Sequence, residues 1–339
     1  AVVADSFWSA KKGRDALSID WDFSSAENRS SDEIFAHYEA LANGDGLVAR
    51  ELGDAAASLG SAQSTVRREF RFPFLAHAAM EPMDCVVQLK QDGCEIWNGE
   101  QMQTGDQAAV AAFLGIRPEQ VRINMLYAGG SFGRRANPKA DYVLEAVSIA
   151  RAYADADGDL VPVRMIWTRE DDMRAGWYRP LYLHRIHAGL DGGNKPVAWQ
   201  HRVVGQSIAA GTPFEGALVT DGVDQTSVEG AANLPYAIPN IRVDLQTTEL
   251  PVPVQWWRSV GSTHTAFVVE TFIDELASAA GQDPVAFRRA LLKDHPRHLG
   301  VLELAAQEAG WGKPLPAGRG RGVAVHESFN SYVAQVVEV

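Results

Sequence analysis

Cysteine is nearly absent: the 339 residues contain two, Cys85 and Cys94. Two thiols cannot supply the four thiolates of an iron–sulfur cluster or of a four-cysteine zinc site, so electron transfer through such a cluster requires another chain. They do not form a disulfide framework either, and a chain of this length buries a sufficient core without one. The two cysteines flank Asp92-Gly93, which reads as the turn of a two-residue hairpin between CVVQLK and CEIW. Counting outward from that turn sets Cys94 near Gln91 and Cys85 far along the other strand. A bridge would need a broken register, so both are expected to be buried free thiols.

Positive charge is also in deficit, with 31 Lys+Arg against 43 Asp+Glu, a net charge of −12. Such a surface repels phosphate backbones and excludes nucleic acid as the expected partner. No apolar run approaches the roughly 18 residues of a membrane span, and the N-terminus lacks the basic-then-apolar pattern of a signal peptide. There is no initiator Met, and AVVA at residues 1–4 already reads as a strand, so the chain is expected to be a piece of something longer. No fixed-period repeat or low-complexity tract occurs. What is present is ordinary for a globular protein: 46% hydrophobic and 22% charged residues, 30 Gly and 16 Pro. That composition excludes disorder, collagen and coiled coil, and the length predicts two domains or one large one.

Along the chain, AVVA, a helix in DSFWSAKKGRDAL capped by Asp5 or Ser6, and LSIDW read as a small β–α–β unit. SSDEIFAHYEALANG reads as a second helix, and residues 43–63 are rich in Gly, Ala, Ser and Asp, which places a domain boundary near residue 60. STVRREFRF alternates like a half-exposed strand and precedes the cysteine hairpin. Then follow a helix in GDQAAVAAFLG, a strand at VRINMLYA, the loop GGSFGRRAN, and a helix from Pro138 to about Tyr153. VPVRMIW, LYLHRIHAGL and VAWQHRVVG read as strands, the last two joined at Asp191-Gly192-Gly193. From Thr263 the period becomes helical, first in THTAFVVETFIDELASAAG and then in DPVAFRRALLKD, capped by Asp283 with Pro284 at the first position. LGVLELAAQEAG is a third helical stretch, and the Gly-rich PAGRGRG links it to two closing strands, RGVAVHES and SYVAQVVEV. Strands and helices fall in unequal blocks without regular alternation, which predicts α+β, mixed sheets with packed helices.

The loop Gly129-Gly130-Ser131-Phe132-Gly133-Arg134-Arg135, between a strand and a helix, admits three readings. G-x-S-x-G fits a nucleophile elbow, with Ser131 the nucleophile of a hydrolase and His264 or His326 following in chain order. An elbow would start the helix at the serine and place Pro138 inside it, whereas Pro138 fits better as a first helical residue. The second reading is an anion cradle of bare N–H groups and two arginines beside a helix N-terminus. The third is a glycine loop with solvated arginines. Neither dinucleotide nor Walker spacing is met.

Two further segments accompany the loop: FLAHAAMEP, with His77 and Glu81, and QWWRSVGS, with Arg258, Val260 and Gly261. Together the three resemble the large, molybdenum-binding subunit of the xanthine dehydrogenase and aldehyde oxidase family, in its bacterial isoquinoline 1-oxidoreductase type. The resemblance runs through WTREDDM to RGVAVHESFNSYVAQVVEV and covers nearly the whole chain. It implies that residues 1–60 end a small α/β domain with its linker, that 61–318 form a first molybdenum-cofactor-binding domain, and that 319–339 begin a second, truncated one. It implies cofactor contacts from Gly129, Gly130, Ser131, Phe132, Gly133, Arg134, Arg258 and Gly261, and a substrate pocket walled by His77, Glu81, Phe132 and Val260. The glutamate of purine-hydroxylating relatives is replaced in the Arg134-Arg135-Ala136 stretch, and Val260 replaces a second sandwiching aromatic, so xanthine is a doubtful substrate.

The family's catalytic glutamate belongs to a later segment, so no catalytic residue is expected within this chain. The implied activity is hydroxylation of N-heterocycles or aldehydes with water as oxygen source. The implied cofactor is a molybdopterin cytosine dinucleotide with molybdenum, and the implied partner a small subunit with [2Fe–2S] clusters. The protein would be bacterial, cytoplasmic or periplasmic, and the piece alone inactive. Other candidates are weaker. His184 and His187 point to opposite faces of a strand, His295 and His298 sit in a loop, and Asp84 and the Glu170-Asp171-Asp172 run read as a solvated face. The nine tryptophans, Trp256-Trp257 among them, read as core or interface anchors. A serine hydrolase and a non-catalytic binding domain of the same fold are the competing functions.

Overall fold

A computed structural model describes all 339 residues. The chain packs into two units that interleave in sequence: Ala1–Asn28, Phe74–Arg179 and Leu250–Arg258 form the first, and Arg29–Pro73, Pro180–Glu249 and Ser259–Val339 the second.

The first unit is built on a four-stranded sheet in the order Val121–Leu126, Gly93–Gly99, Asp84–Lys90, Val163–Ile166. Alternation along the central hairpin sends Cys85, Val87, Cys94 and Ile96 into a core shared with Val110, Val143 and Val147 of the helices Gln103–Leu114 and Asp141–Asp157. Both cysteines are buried and free. The hairpin closes one step earlier than its turn signal: Lys90 pairs with Gly93 and Leu89 with Cys94, so the turn is Gln91-Asp92. Gly93 instead serves as a strand residue, because a Cβ there would lie 2.5 Å from the Gln120 carbonyl oxygen. The side-chain amide of Gln120 donates to Asp92 O at 2.6 Å and secures the turn.

Two further expectations fail in this unit. The β–α–β start does not form: only the helix Phe7–Asp15 is present, capped by the Ser6 hydroxyl, and neither AVVA nor LSIDW pairs with a strand. Leu17, Ile19 and Trp21 stay between 50% and 69% exposed, so the alternation of this segment has no sheet to bury against. The helix after the glycine loop begins at Asp141 rather than Pro138. A turn over Asn137–Ala140, closed by Ala140 N to Asn137 O at 3.1 Å and by the Asn137 side chain accepting from Lys139 N, takes up the proline first.

The second unit carries a five-stranded sheet in the order Leu47–Leu52, Ile241–Thr248, Pro196–Gln206, Tyr182–Leu190, Ser64–Phe72, antiparallel except for the Pro196–Gln206 and Ile241–Thr248 pair. The helix Ser262–Ala279 lays Val268, Val269, Phe272, Ile273 and Leu276 in the core with Ile186, Trp199 and Val243 of the sheet. Helices Pro284–Leu291 and Pro296–Glu308 and the closing hairpin Arg321–Ser328 with Ser331–Glu338 complete that layer. Asp283 caps as read, accepting from Ala286 N at 2.8 Å. The stretch 43–63 is more than a linker, because it contains the strand Leu47–Leu52 and the helix Ala55–Gly60. The overall class is α+β, and no helix is long and apolar enough to cross a membrane.

Candidate functional site

In the first unit a short ladder, Leu75–Ala76 with Tyr178–Arg179, and a bridge from Tyr178 to Val254 bring two of the motif segments side by side. The third, the glycine loop, leaves the end of the strand Val121–Leu126 and meets both. Arg258 N donates to Phe132 O at 2.8 Å, and the Trp257 ring stacks on Phe132 at 6.3 Å and 30°. Gln255, fully buried, donates to the carbonyls of Gly133 and Arg134 at 3.2 Å each and accepts from the Asn137 side chain at 2.7 Å. His77 Nε2 lies 3.0 Å from Trp256 O; burial pushes the imidazole down to about 4, so it is neutral at pH 7 and donates that bond. Glu81 N donates to Gly129 O at 3.0 Å, and Gly129 N donates to the Glu81 carboxylate. Gly133 has φ +104° and a Cβ there would stand 2.8 Å from Trp256 O, so this close approach admits only glycine.

The N–H groups of Gly130, Ser131, Phe132 and Gly133 make no hydrogen bond within the chain. Beside them Phe132 is 40% exposed in the left-handed region, and Arg258 is exposed. Non-glycine residues rarely adopt φ > 0, yet Ala78 and Phe132 do so here, and Ser259 and the β-branched Val260 do so in succession in the second unit.

The arginines of the loop do not face outward as the anion-cradle reading expected. Arg134 is buried, bidentate to Asp141 at 3.0 and 2.6 Å and lying over Trp167 at 5.5 Å. Arg135 is wholly buried. Apart from these buried guanidiniums, the donors that remain without a partner are therefore backbone N–H groups, and the exposed guanidinium is that of Arg258. Ser131 is no elbow nucleophile: its hydroxyl donates to Gln101, accepts from Arg135 N at 3.1 Å, and has no histidine partner.

Val260 and Gly261 belong to the second unit. There Gly261 N donates to Glu229 at 2.6 Å, and a Cβ on Gly261 would lie 2.0 Å from Thr226 O. The glycine is needed for seating the helix Ser262–Ala279, and Glu229, unforeseen from the sequence, occupies its N-terminus.

His184 and His187 do face opposite ways. His184 is buried in a chain of imidazoles, 2.8 Å from His201 Nε2 and 2.8 Å from His264 Nδ1, while His187 is half-buried. His326 meets Ser262 at 3.0 Å. His295 and His298 lie at the start of a helix rather than in a loop. Thr168 caps the helix Arg169–Arg174 in a capping box with Asp171; of the Glu170-Asp171-Asp172 run in its first turn, Glu170 is exposed as expected while Asp172 is buried against Arg169 at 2.8 Å. Gln101 and Glu229 were not singled out from sequence, whereas Arg135, Gln255 and Trp257 lay inside the motif segments without being assigned a site role.

Residues 41–292 match the molybdopterin cofactor-binding domain family. The chain is 31% identical over 277 residues to the beta subunit of isoquinoline 1-oxidoreductase from Brevundimonas diminuta, covering 80% of this chain and 34% of that protein. It is 28% identical over 240 residues to the molybdenum-binding subunit of an aldehyde oxidoreductase from Escherichia coli K12, covering 70% and 30%. It thus spans about a third of the length of these relatives. Among solved structures, quinoline 2-oxidoreductase from Pseudomonas putida 86 superposes with a TM-score of 0.66 at 20% identity, over 84% of this chain and 39% of that one, which shows the shared fold. The chain belongs to the molybdopterin cofactor-binding domain family.

Proposed function

We propose that this chain forms one wall of the cofactor and substrate site of a molybdenum hydroxylase large subunit that hydroxylates N-heterocycles or aldehydes with water as oxygen source. The observation that carries the reading is the junction of Phe132 O with Arg258 N, which joins two distant motifs on one surface. The donor set fits the group: four consecutive free N–H groups and an exposed guanidinium suit oxo and phosphate oxygens. Gly129, Gly130, Ser131, Phe132, Gly133 and Arg258 would hold it, while Arg134 supports the loop from behind. When bound, the cofactor supplies the Lewis acidity and two-electron redox capacity that side chains lack. The chain's own part is to orient a flat substrate against Phe132, with Trp257 stacked behind that ring, and to keep the wall rigid through Gln255 and neutral His77.

The cytosine dinucleotide form of the cofactor, a small [2Fe–2S] subunit as electron acceptor, and the assignment of 319–339 to the start of a second cofactor-binding domain belong to this proposal. In this proposal the general base and much of the cofactor cradle are supplied from outside these 339 residues, which alone are therefore expected to bind no molybdenum and show no hydroxylase activity. Metal analysis tests this: molybdenum should be stoichiometric in the whole subunit co-expressed with its partner and absent from the isolated chain. Stoichiometric metal in the isolated chain, or none in the whole assembly, overturns the proposal. In the assembly, Arg258→Ala and Phe132→Ala should each lower kcat/KM; unchanged turnover would instead favour a non-catalytic domain of the same fold.

A further inference from the structure

We infer that Arg135 is a positioning residue for the glycine loop, acting on Gly129 through Glu81; the inference rests on the reading of that loop as the cofactor wall. Arg135 is wholly buried, lies over the Tyr142 ring at 5.8 Å, and donates from Nη1 to Gly99 O at 3.3 Å. Its Nη2 is 3.5 Å from Glu81 Oε2 and 3.6 Å from Asp84 Oδ1, and neither Nη2 nor Nε makes a hydrogen bond. The same Glu81 oxygen accepts the Gly129 N–H, and Glu81 N returns a bond to Gly129 O. A Cβ on Gly129 would sit 2.6 Å from Glu81 Cβ, so the loop leans directly on this residue. One carboxylate oxygen is therefore shared between a buried cation and the first amide of the outward loop.

A buried guanidinium with unsaturated donors adds little stability, since its desolvation is not repaid. Its charge does draw the Glu81 carboxylate toward the loop, where the same oxygen accepts from Gly129 N. Without Arg135, Glu81 would lose the guanidinium at 3.5 Å, while Asp84 would keep Arg164 at 3.8 Å. Burial, and then the neighbouring Glu81, already push Asp84 above the usual carboxylate range.

The test uses the whole subunit assembled with its partner, carrying Arg135→Gln, Arg135→Lys or Glu81→Gln. Readouts are amide hydrogen exchange of the segment 127–136, molybdenum content, and kcat and KM per molybdenum. Arg135→Gln should speed loop exchange and lower kcat per molybdenum by about tenfold each, as loss of the bond from Gly129 N to the Glu81 carboxylate implies. Arg135→Lys should restore part of both. Unchanged loop exchange with a lowered melting temperature would show a merely structural residue and overturn the inference. Should Arg135→Gln fail to fold, Arg135→Lys and Glu81→Gln decide by the same readouts. An assembly without molybdenum would defeat the site reading, while loop exchange would still decide whether Arg135 holds Gly129.

Discussion

Arg288 in the second unit and Arg135 in the first are both wholly buried, and they are satisfied very differently. Arg288 donates to Glu270 at 3.0 Å, to the Glu270 carbonyl at 2.9 Å, to Pro284 O at 3.3 Å and to Asp274. Glu270 is saturated in turn by Tyr236 OH at 2.6 Å and Val325 N at 2.8 Å. The Arg135 side chain has one hydrogen bond, to Gly99 O, and two nitrogens without any. A saturated buried ion network ties helices and hairpin into one body, and every member is needed for the others. An unsaturated one stores unmade bonds beside a loop with four free N–H groups. A cation that serves the fold thus differs visibly from one that serves a site.

The largest effect is expected at Arg288. Arg288→Ala strands the buried Glu270 carboxylate and should destabilise the second unit by about 3–5 kcal/mol, read by urea unfolding. Arg135→Gln should cost clearly less by the same measurement. If the two losses are equal, the distinction between the networks is wrong. Gly133→Ala forces a Cβ against Trp256 O at φ +104° and should cost about 1–3 kcal/mol, with loss of molybdenum from the whole assembly.

Titration separates two buried groups, one in each unit, whose contributions are lost at opposite ends of the pH scale. Burial lowers His201 from 6.5 to about 3, so its contribution is present above pH 6.5 and is lost as pH falls toward 3. Burial and the neighbouring Glu100 raise Asp106 from 3.8 to about 9, so its contribution is present in acid and is lost as pH rises toward 9. Asp106→Asn should therefore raise the melting temperature at pH 8 relative to the parent and give little gain at pH 4. The smallest effect concerns the thiols. Burial pushes Cys94 up to about 11 and Cys85 higher still, so the folded protein should resist disulfide-exchange reagents at pH 8 and react at both sites once unfolded.

Much of this was legible beforehand where the signal is local. The Asp283-Pro284 cap, the alternation of Ser64–Phe72 and the helical period after Thr263 depend on neighbours within a turn or a strand. The motif segments His77 to Glu81, Gly129 to Gly133 and Gln255 to Arg258 were recognisable as chemistry. The strand Ile241–Thr248 was missed although its pattern is plain, with Ile241, Val243 and Leu245 inward, and the unpaired LSIDW shows the converse failure, a strand pattern without a partner.

By itself the sequence determined periodicity, caps, and which residue types could meet an anion or a flat ring, because these follow from spacing along one segment. Only the tertiary structure decided which way the long side chains turn. Arg134 and Arg135 look like solvent-facing donors in the chain, yet Asp141, Tyr142, Glu81 and Asp84 draw them inward and leave the amides of Gly130 to Gly133 as the loop's unpartnered backbone donors. A guanidinium on a flexible stem goes where its carboxylates and aromatic faces are, and three-dimensional packing supplies those.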